Sequence, residues 1–323
     1  MKYKFQILPI FILLFFFNKS IAEETKNNNP LKLKIGLYVT QIFNLNSNSD
    51  NFQADLWLWV NYKGEMGDYF DLLEFFNSID SKRLIRDTEK VEGGVWDSAK
   101  YSNKISTSWD VSNFPFDKQK LEIMVEIGKA TSEIILEPDA KDSGVNPAIN
   151  LDEWKITNSS IRSETIKYPT AFGSPKRNEP EEYSRIILEI DIVRNSMSLF
   201  FKLHAGIYVA FCITMLSYFM NPKSDDIFSG RVSLVVGMLF ACLVNMQIVE
   251  STVGKTNYLS LSDKIHILTM VNIFISVCVT KLSRFLCDIG IAHRSKLFDR
   301  ICIIIQSIVY VIFNLILIFS AMS

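Results

Sequence analysis

Apolar residues along this chain follow two rhythms, and the change between them falls near Leu199. Before it, short runs alternate. From Phe52 to Tyr62, Phe52, Ala54, Leu56, Leu58 and Val60 fall on one side, and Gln53, Asp55, Trp57, Trp59 and Asn61 on the other. A period of two is the mark of a half-buried strand. Leu121, Ile123, Val125 and Ile127 alternate in the same way with Lys120, Glu122, Met124 and Glu126, and Trp154 to Tyr168 and Arg185 to Val193 read as further strands. Pro115 marks a turn, Glu137 to Asn150 a loop, and Ala171 to Tyr183, with Gly173, Pro175 and Pro180 among charges, a long exposed loop. Lys63 to Ser108 shows strand-like pieces and a Gly93-Gly94 turn but no clear period. Strand runs separated by turns predict a β-sandwich from Leu31 to about Arg194.

After Leu199 the apolar runs lengthen. Leu199 to Met220, Phe228 to Glu250, the core Ile265 to Val279, and Ile301 to Met322 read as four membrane spans, since about 20 helical residues cross roughly 30 Å. The connection between the third and fourth carries Lys281, Arg284, Arg294, Lys296 and Arg300 against Asp288 and Asp299. That basic excess puts it in the cytoplasm. Met1 to Ala22 reads as a secretory signal peptide: Lys2 and Lys4, an apolar Phe5 to Phe17, and Ser20-Ile21-Ala22 as a small-x-small site. An uncleaved anchor is the alternative, for which the apolar run is short. Export of the sandwich and a cytoplasmic third connection require the same orientation. The expected fold class is therefore an all-β extracellular sandwich followed by a four-helix α transmembrane domain, divided as residues 1–22, 23–194 and 195–323.

The second span is not uniformly apolar. At spacings of three and four it reads Ser229, Ser233, Gly237, Phe240, Val244, Gln247 and Ser251, all on one helical face. A polar stripe is costly against lipid, so it faces protein or water. Packing of small residues between helices and lining of a pore both satisfy that requirement.

Composition removes several function classes. The formal net charge of −1 gives no electrostatic footprint for nucleic acid. All five cysteines and all three histidines follow Leu199, so the exported half holds neither a disulfide pair nor a His- or Cys-based catalytic set. No metal cluster, cofactor motif or nucleophile-base pair is visible, which argues against a membrane-tethered enzyme. A non-conducting, membrane-anchored periplasmic ligand sensor remains the competing class, though it has no need of a helix whose polar face changes along its length.

The order of sandwich, four helices and striped second helix resembles the pentameric ligand-gated ion channels, the Cys-loop receptor superfamily. Phe114 to Gln119, FPFDKQ, is similar to the family's signature loop at the domain junction. Trp57 in DLWLW matches the aromatic of its complementary-side binding strand, and Arg194 the basic residue before the first span. SGRVSLVVGMLFACLVNMQIVES resembles the pore helix, with Arg231 at its cytoplasmic start, and Gly254 to Ile265 resembles the link between the second and third spans. The cysteines that bracket the signature loop are absent; Thr107 and Leu121 stand in their places. Bacterial members commonly lack them, and the short third-to-fourth connection also has a bacterial look.

The resemblance implies a homopentamer, one chain with four further copies, in the bacterial inner membrane with its N-terminal domain in the periplasm. Membrane lipid, permeant ions and a small-molecule agonist or protons are the other implied partners. Ser229, Ser233, Gly237, Phe240, Val244 and Gln247 would line the pore, with Phe240 and Val244 as the apolar ring, and Glu250 would stand at the outer mouth. Asp117, Arg194 and Pro115 would couple the sandwich to the helices, with Lys255 and Tyr258 receiving. Trp57 and Trp59 of one subunit, and Phe172 and Tyr183 of its neighbour, would contact the ligand. Ser229 and Gly230 occupy the place where the family's cation channels carry Glu, whereas Asp225, Asp226 and Glu250 add negative potential.

Overall fold

The computed structural model of the protein describes residues 29–63, 67–173, 180–254 and 256–322. The expected signal peptide, Lys255 on the link between the second and third spans, and the middle of the Ala171 to Tyr183 loop lie outside them.

Among the described residues ten strands form the N-terminal part: β1 (Leu31–Asn46), β2 (Asn51–Lys63), β3 (Leu73–Phe75), β4 (Ser78–Val91), β5 (Gly94–Ser106), β6 (Lys118–Ala130), β7 (Ile134–Pro138), β8 (Gly144–Val145), β9 (Trp154–Lys167) and β10 (Glu182–Arg194). One sheet runs β4-β5-β2-β1-β7, with β8 also on β1; the other runs β3-β6-β10-β9. The alternating apolar sides of β2, β6 and β10 meet between them. Leu56 and Leu58 from one sheet and Ile123, Val125, Leu188 and Ile190 from the other are fully buried. This is a sandwich whose core is made by the period-two side of each strand.

The stretch Lys63 to Ser108, without a clear period in the sequence, folds as β3, β4 and β5. Its lack of period has a physical cause. β4 is an edge strand, exposed along nearly its whole length, so neither face needs to be apolar. The buried side of β5 carries Asp97 and Asn103 among its apolar residues. Asp97 is held there by Arg86 in a two-point ion pair at 2.7 and 3.1 Å and by Thr88 at 3.0 Å. The hairpin turn is at Glu92-Gly93, with Gly93 at φ +80°, and Gly94 already belongs to β5. Within the expected Glu137 to Asn150 loop, β7 ends and β8 adds a short parallel pairing to β1.

Among the described residues four long helices follow: α1 (Ser196–Leu216), α2 (Asp225–Val253), α3 (Leu261–Asp288) and α4 (Ala292–Met322), each long and apolar enough to cross a membrane. The last three extend beyond their apolar runs, because helix ends that emerge from a bilayer can keep charged side chains in water. Ser224 caps α2 ahead of Asp225 and Asp226, which suit the positive end of the helix dipole. Ser260 and Asp263 form a capping box on α3. The third-to-fourth connection is correspondingly shorter than expected: only Ile289, Gly290 and Ile291 separate the helices, and the five basic residues sit on the helix ends. α2 has 29 residues, about 43 Å at 1.5 Å per residue. It packs between α1 and α3, with α4 against α3.

Candidate functional site

α2 has one side turned into the bundle and one turned away. Arg231, Val235, Cys242, Val249 and Val253 form the buried seam. Ser229, Ser233, Gly237, Phe240, Val244, Gln247 and Glu250 are all exposed in the single chain, Phe240 at 63% and Val244 at 58%. The outer face of α4 is also exposed, but there Ile301, Ile304, Ile305, Ile308, Ile312, Phe313, Ile316 and Phe319 make it largely apolar. Lipid suits that face. It does not suit one that begins with two serines and ends with Gln247, Glu250 and Ser251.

Arg231 points into the bundle, not along the stripe. It is fully buried, donates to Asp299 of α4 at 2.9 and 3.1 Å, and stacks over the Tyr218 ring at 4.7 Å. Asp299 also accepts from Ser283 at 2.9 Å. A wider polar seam on α3 continues this pattern. Ser262, His266, Thr269, Asn272, Ser276, Thr280 and Ser283 are buried at steps of three and four. Thr269 bonds Tyr310 at 2.7 Å, Ser276 meets Gln306 at 3.3 Å, and His266 lies 2.8 Å from the Asn245 side-chain amide. Sequence reasoning missed this seam although its helical spacing is legible there. Its function is to fasten α3 to α1, α2 and α4 where apolar packing alone gives little preference over lipid.

At the junction the structure brings Asp117 and Arg194 together. Arg194 Nε and Nη2 donate to the two Asp117 oxygens at 2.7 and 3.1 Å, and Gln119 donates to Asp117 at 2.8 Å. The side chains are 5% and 1% exposed. The guanidinium also reaches Glu153 at 3.2 Å and lies 4.0 Å from the Trp154 ring and 5.0 Å from the Phe114 ring. Arg194 ends β10, and α1 begins two residues later, so this pair ties the last strand to the loop that holds Pro115. That loop in turn receives the helices. Leu261 N–H donates to the Ser112 carbonyl at 2.8 Å, Ser262 Oγ to the Phe114 carbonyl at 3.1 Å, and Val111 N–H to the Tyr258 hydroxyl at 3.1 Å. Below them Val111 and Phe114 pack with Leu203, Val249 and Val253. The β1–β2 turn makes a second contact, Asn48 Nδ2 to the Ser251 carbonyl at 2.9 Å.

Of the expected ligand contacts, Trp57 and Trp59 lie on the outer face of the first sheet, and Phe172 and Tyr183 at the β9–β10 end of the second. Trp59 lies over Gly36, where a Cβ would fall 2.1 Å from the indole, and donates to Asp139 at 3.2 Å. Phe172 and Tyr183 meet edge to face at 6.1 Å, joined by Tyr168 at 5.4 and 5.7 Å. Beneath these rings is a buried pair that the sequence reading did not identify: Arg185 donates to Glu126 at 2.7 Å, with Phe76 stacked 3.9 Å from its guanidinium. Tyr168 Oη lies 2.9 Å from Glu126, and burial, then that bond, push the phenol above its ordinary value. Arg185 immediately before the apolar run Ile186 to Leu188 was the available signal. Among the described residues no group of His, Cys, Asp or Glu is arranged to hold a metal.

No protein-family model matches the chain. It is similar to the proton-gated ion channel of Gloeobacter violaceus, at 20% identity over 313 residues that cover 90% of this chain and 84% of that one. The two-sheet sandwich and the four membrane-length helices both fall within that alignment, so the chain is similar to this proton-gated ion channel through both of its parts.

Proposed function

We propose that five copies of this chain form a ligand-gated ion channel in a bacterial inner membrane, with the sandwich in the periplasm and α2 lining a central pore. The observation that carries this reading is the exposed stripe of α2, polar at both ends and bulky in the middle. A ring of such helices gives each part of the stripe a solvent: a serine-lined inner end, a Phe240 and Val244 constriction that shuts by dewetting, and a Gln247 and Glu250 outer mouth. Ligand or protons bound in the periplasm would act through Asp117, Arg194 and the loop at Pro115 onto Tyr258 and the adjoining Lys255. Trp57 and Trp59 of one subunit and Phe172 and Tyr183 of the next would form the ligand site, with Tyr168 and Arg185 backing the second pair.

The test is current recording from reconstituted protein under a pH series and an amine screen, after imaging for five-fold particles. Five-fold particles that stay silent throughout would favour the non-conducting sensor instead.

Several sandwich carboxylates constrain any response to protons. Hydrogen bonds from Arg83 and Arg86 hold Asp71 below its ordinary value, and the Ser112 backbone and hydroxyl do so for Asp110. Arg162 lowers Glu189 against its burial. A depressed pKa stabilises the fold above the unfolded value, and that contribution is lost as pH falls through the folded value. The expected result is a thermal midpoint that these groups leave flat from about pH 7 to 5 and that declines only below about pH 4. Thermal unfolding followed by tryptophan emission reads it. A current switched on between those limits would then report other groups.

A further inference from the structure

We propose that the foot of the sandwich binds the headgroup of a zwitterionic phospholipid that carries a primary ammonium, of the phosphatidylethanolamine type. The site is a cavity of about 970 Å³ between the β8–β9 connection and the neighbouring ends of β9 and β10, with Ile149, Leu151, Asp152, Trp154, Lys155 and Asn195 in its wall. That volume suits a small molecule. Its place in the fold selects the kind. Arg194 ends β10 and lines the cavity, Asn195 follows it, and α1 starts at Ser196. The rim therefore lies at the membrane surface on the sandwich side, where a headgroup layer of roughly 5 to 8 Å covers the hydrocarbon. The site depends on α1 crossing the membrane and not on α2 lining a pore.

The wall calls for a ligand of both signs. Its charged side chains are Asp152, Lys155 and Arg194. Arg194 is spent on Asp117 and Glu153. Asp152 and Lys155 are exposed and, among the described residues, neither has an ion-pair partner, not even the other. Trp154 is 5% exposed, and its indole N–H is buried with no acceptor. The Arg194 guanidinium at 4.0 Å and the Trp109 ring at 5.9 Å hold the indole in place. A buried donor left unpaired is uncommon and costly, and a phosphate oxygen is an acceptor of the kind it lacks. Asn195 stands at the cap position of α1 without making a capping bond, and the first turn of α1 holds no acidic residue, whereas Ser224 and Ser260 cap α2 and α3. Anions suit such a helix start. The indole N–H and Lys155 thus suit the phosphate, Asp152 the ammonium, and Ile149 and Leu151 the glycerol end of the chains. A choline headgroup has no N–H to give Asp152, and a glycerol headgroup leaves that carboxylate without a cation. Tryptophan is also favoured at this depth, where a ring can sit among headgroups.

The experiment uses the full-length chain labelled with fluorotryptophan in lipid-free detergent micelles. It follows the fluorine resonance of Trp154, assigned as the one missing from Trp154→Phe. Dihexanoyl phosphatidylethanolamine is the probe. A saturable shift of that resonance is expected, with half-saturation several-fold lower than for choline or glycerol headgroups on the same chains. Lys155→Glu should raise the half-saturation about tenfold or more, the scale of one hydrogen bond to a charged group. Asp152→Asn should erase the preference over the choline headgroup. Both changes fall at exposed positions without partners, where substitutions cost the fold little. Phosphoethanolamine without acyl chains should act only at far higher concentration; equal potency would make the ligand a soluble phosphate ester and overturn the lipid assignment. No shift of the Trp154 resonance with any of the lipids, or an equal response in the Lys155→Glu chain, overturns the site itself. The readout needs no current, so a chain that never conducts is tested just as well.

Discussion

Phe240→Ser is expected to produce currents that persist without any agonist. Phe240 is 63% exposed in the single chain, so its own subunit does little to hold the ring. In the proposed pentamer its neighbours are the same residue of four other copies. Clustering an aromatic ring away from water is worth about 1.5–3 kcal/mol per side chain, and the substitution removes all five at once. Moving a two-state equilibrium from 1:99 to 99:1 takes about 5.5 kcal/mol. Even partial clustering of the five rings therefore exceeds what a closed resting state needs, and a hydroxyl in each position wets the constriction. The measurement is holding current in symmetric salt at rest, compared with the unsubstituted chain. A closed-state conductance unchanged by Phe240→Ser would count against the gate, whereas ordinary interhelical packing predicts loss of assembled protein instead.

Charge reversal at Asp117 should have the second large effect. Asp117→Arg is expected to abolish gating, and Arg194→Asp in the same chain to restore part of it. The burial of this pair sets the scale: breaking a buried ion pair from one side costs about 3–5 kcal/mol, because the remaining charge is left without a partner. Restoration is only partial because Glu153 and Gln119 keep their places and suit the original polarity. Loss of fold is separated from loss of coupling by Asp117→Asn, which preserves size and one acceptor oxygen. Pentamers that assemble and remain silent with Asp117→Asn, yet conduct when Phe240→Ser is added, would place the defect between sandwich and pore. Normal gating with Asp117→Asn would make the pair structural only. The physical route is short: the loop that carries this pair is bonded to the start of α3 through Ser112 and Phe114, and Phe114 packs against Val249 and Val253 at the outer end of α2.

Much of the fold was legible because burial imposes a period. β2 has apolar residues on its buried side and mixed ones outside, and each membrane run is longer than a soluble core requires. Legibility failed where burial is not that simple. β4 has little buried side, and β5 places Asp97 at a core position that only Arg86, from a strand whose pairing was not visible, makes tolerable. The polar pairs of the sandwich were legible only in part. Trp57 and Trp59 stood out as aromatics on an outward face, but Glu126 reads in the sequence as one more polar position alternating with apolar ones, and its Arg185 partner belongs to a strand far along the chain. Such pairs are set by sheet register, and β6 against β10 puts Glu126 opposite Arg185.

By itself the amino-acid sequence determined the division into an alternating β part and four spans, the stripe on the second span, and the residues available for a junction, because hydrophobic period and span length are local properties. The tertiary structure decided which side of α2 is buried, that Arg231 is spent on Asp299, and that Asp117, Arg194 and the Tyr258 link converge. Those outcomes depend on pairing charges and hydrogen-bonding groups that are distant in the chain, and only a packed bundle under a docked sandwich can choose among the partners.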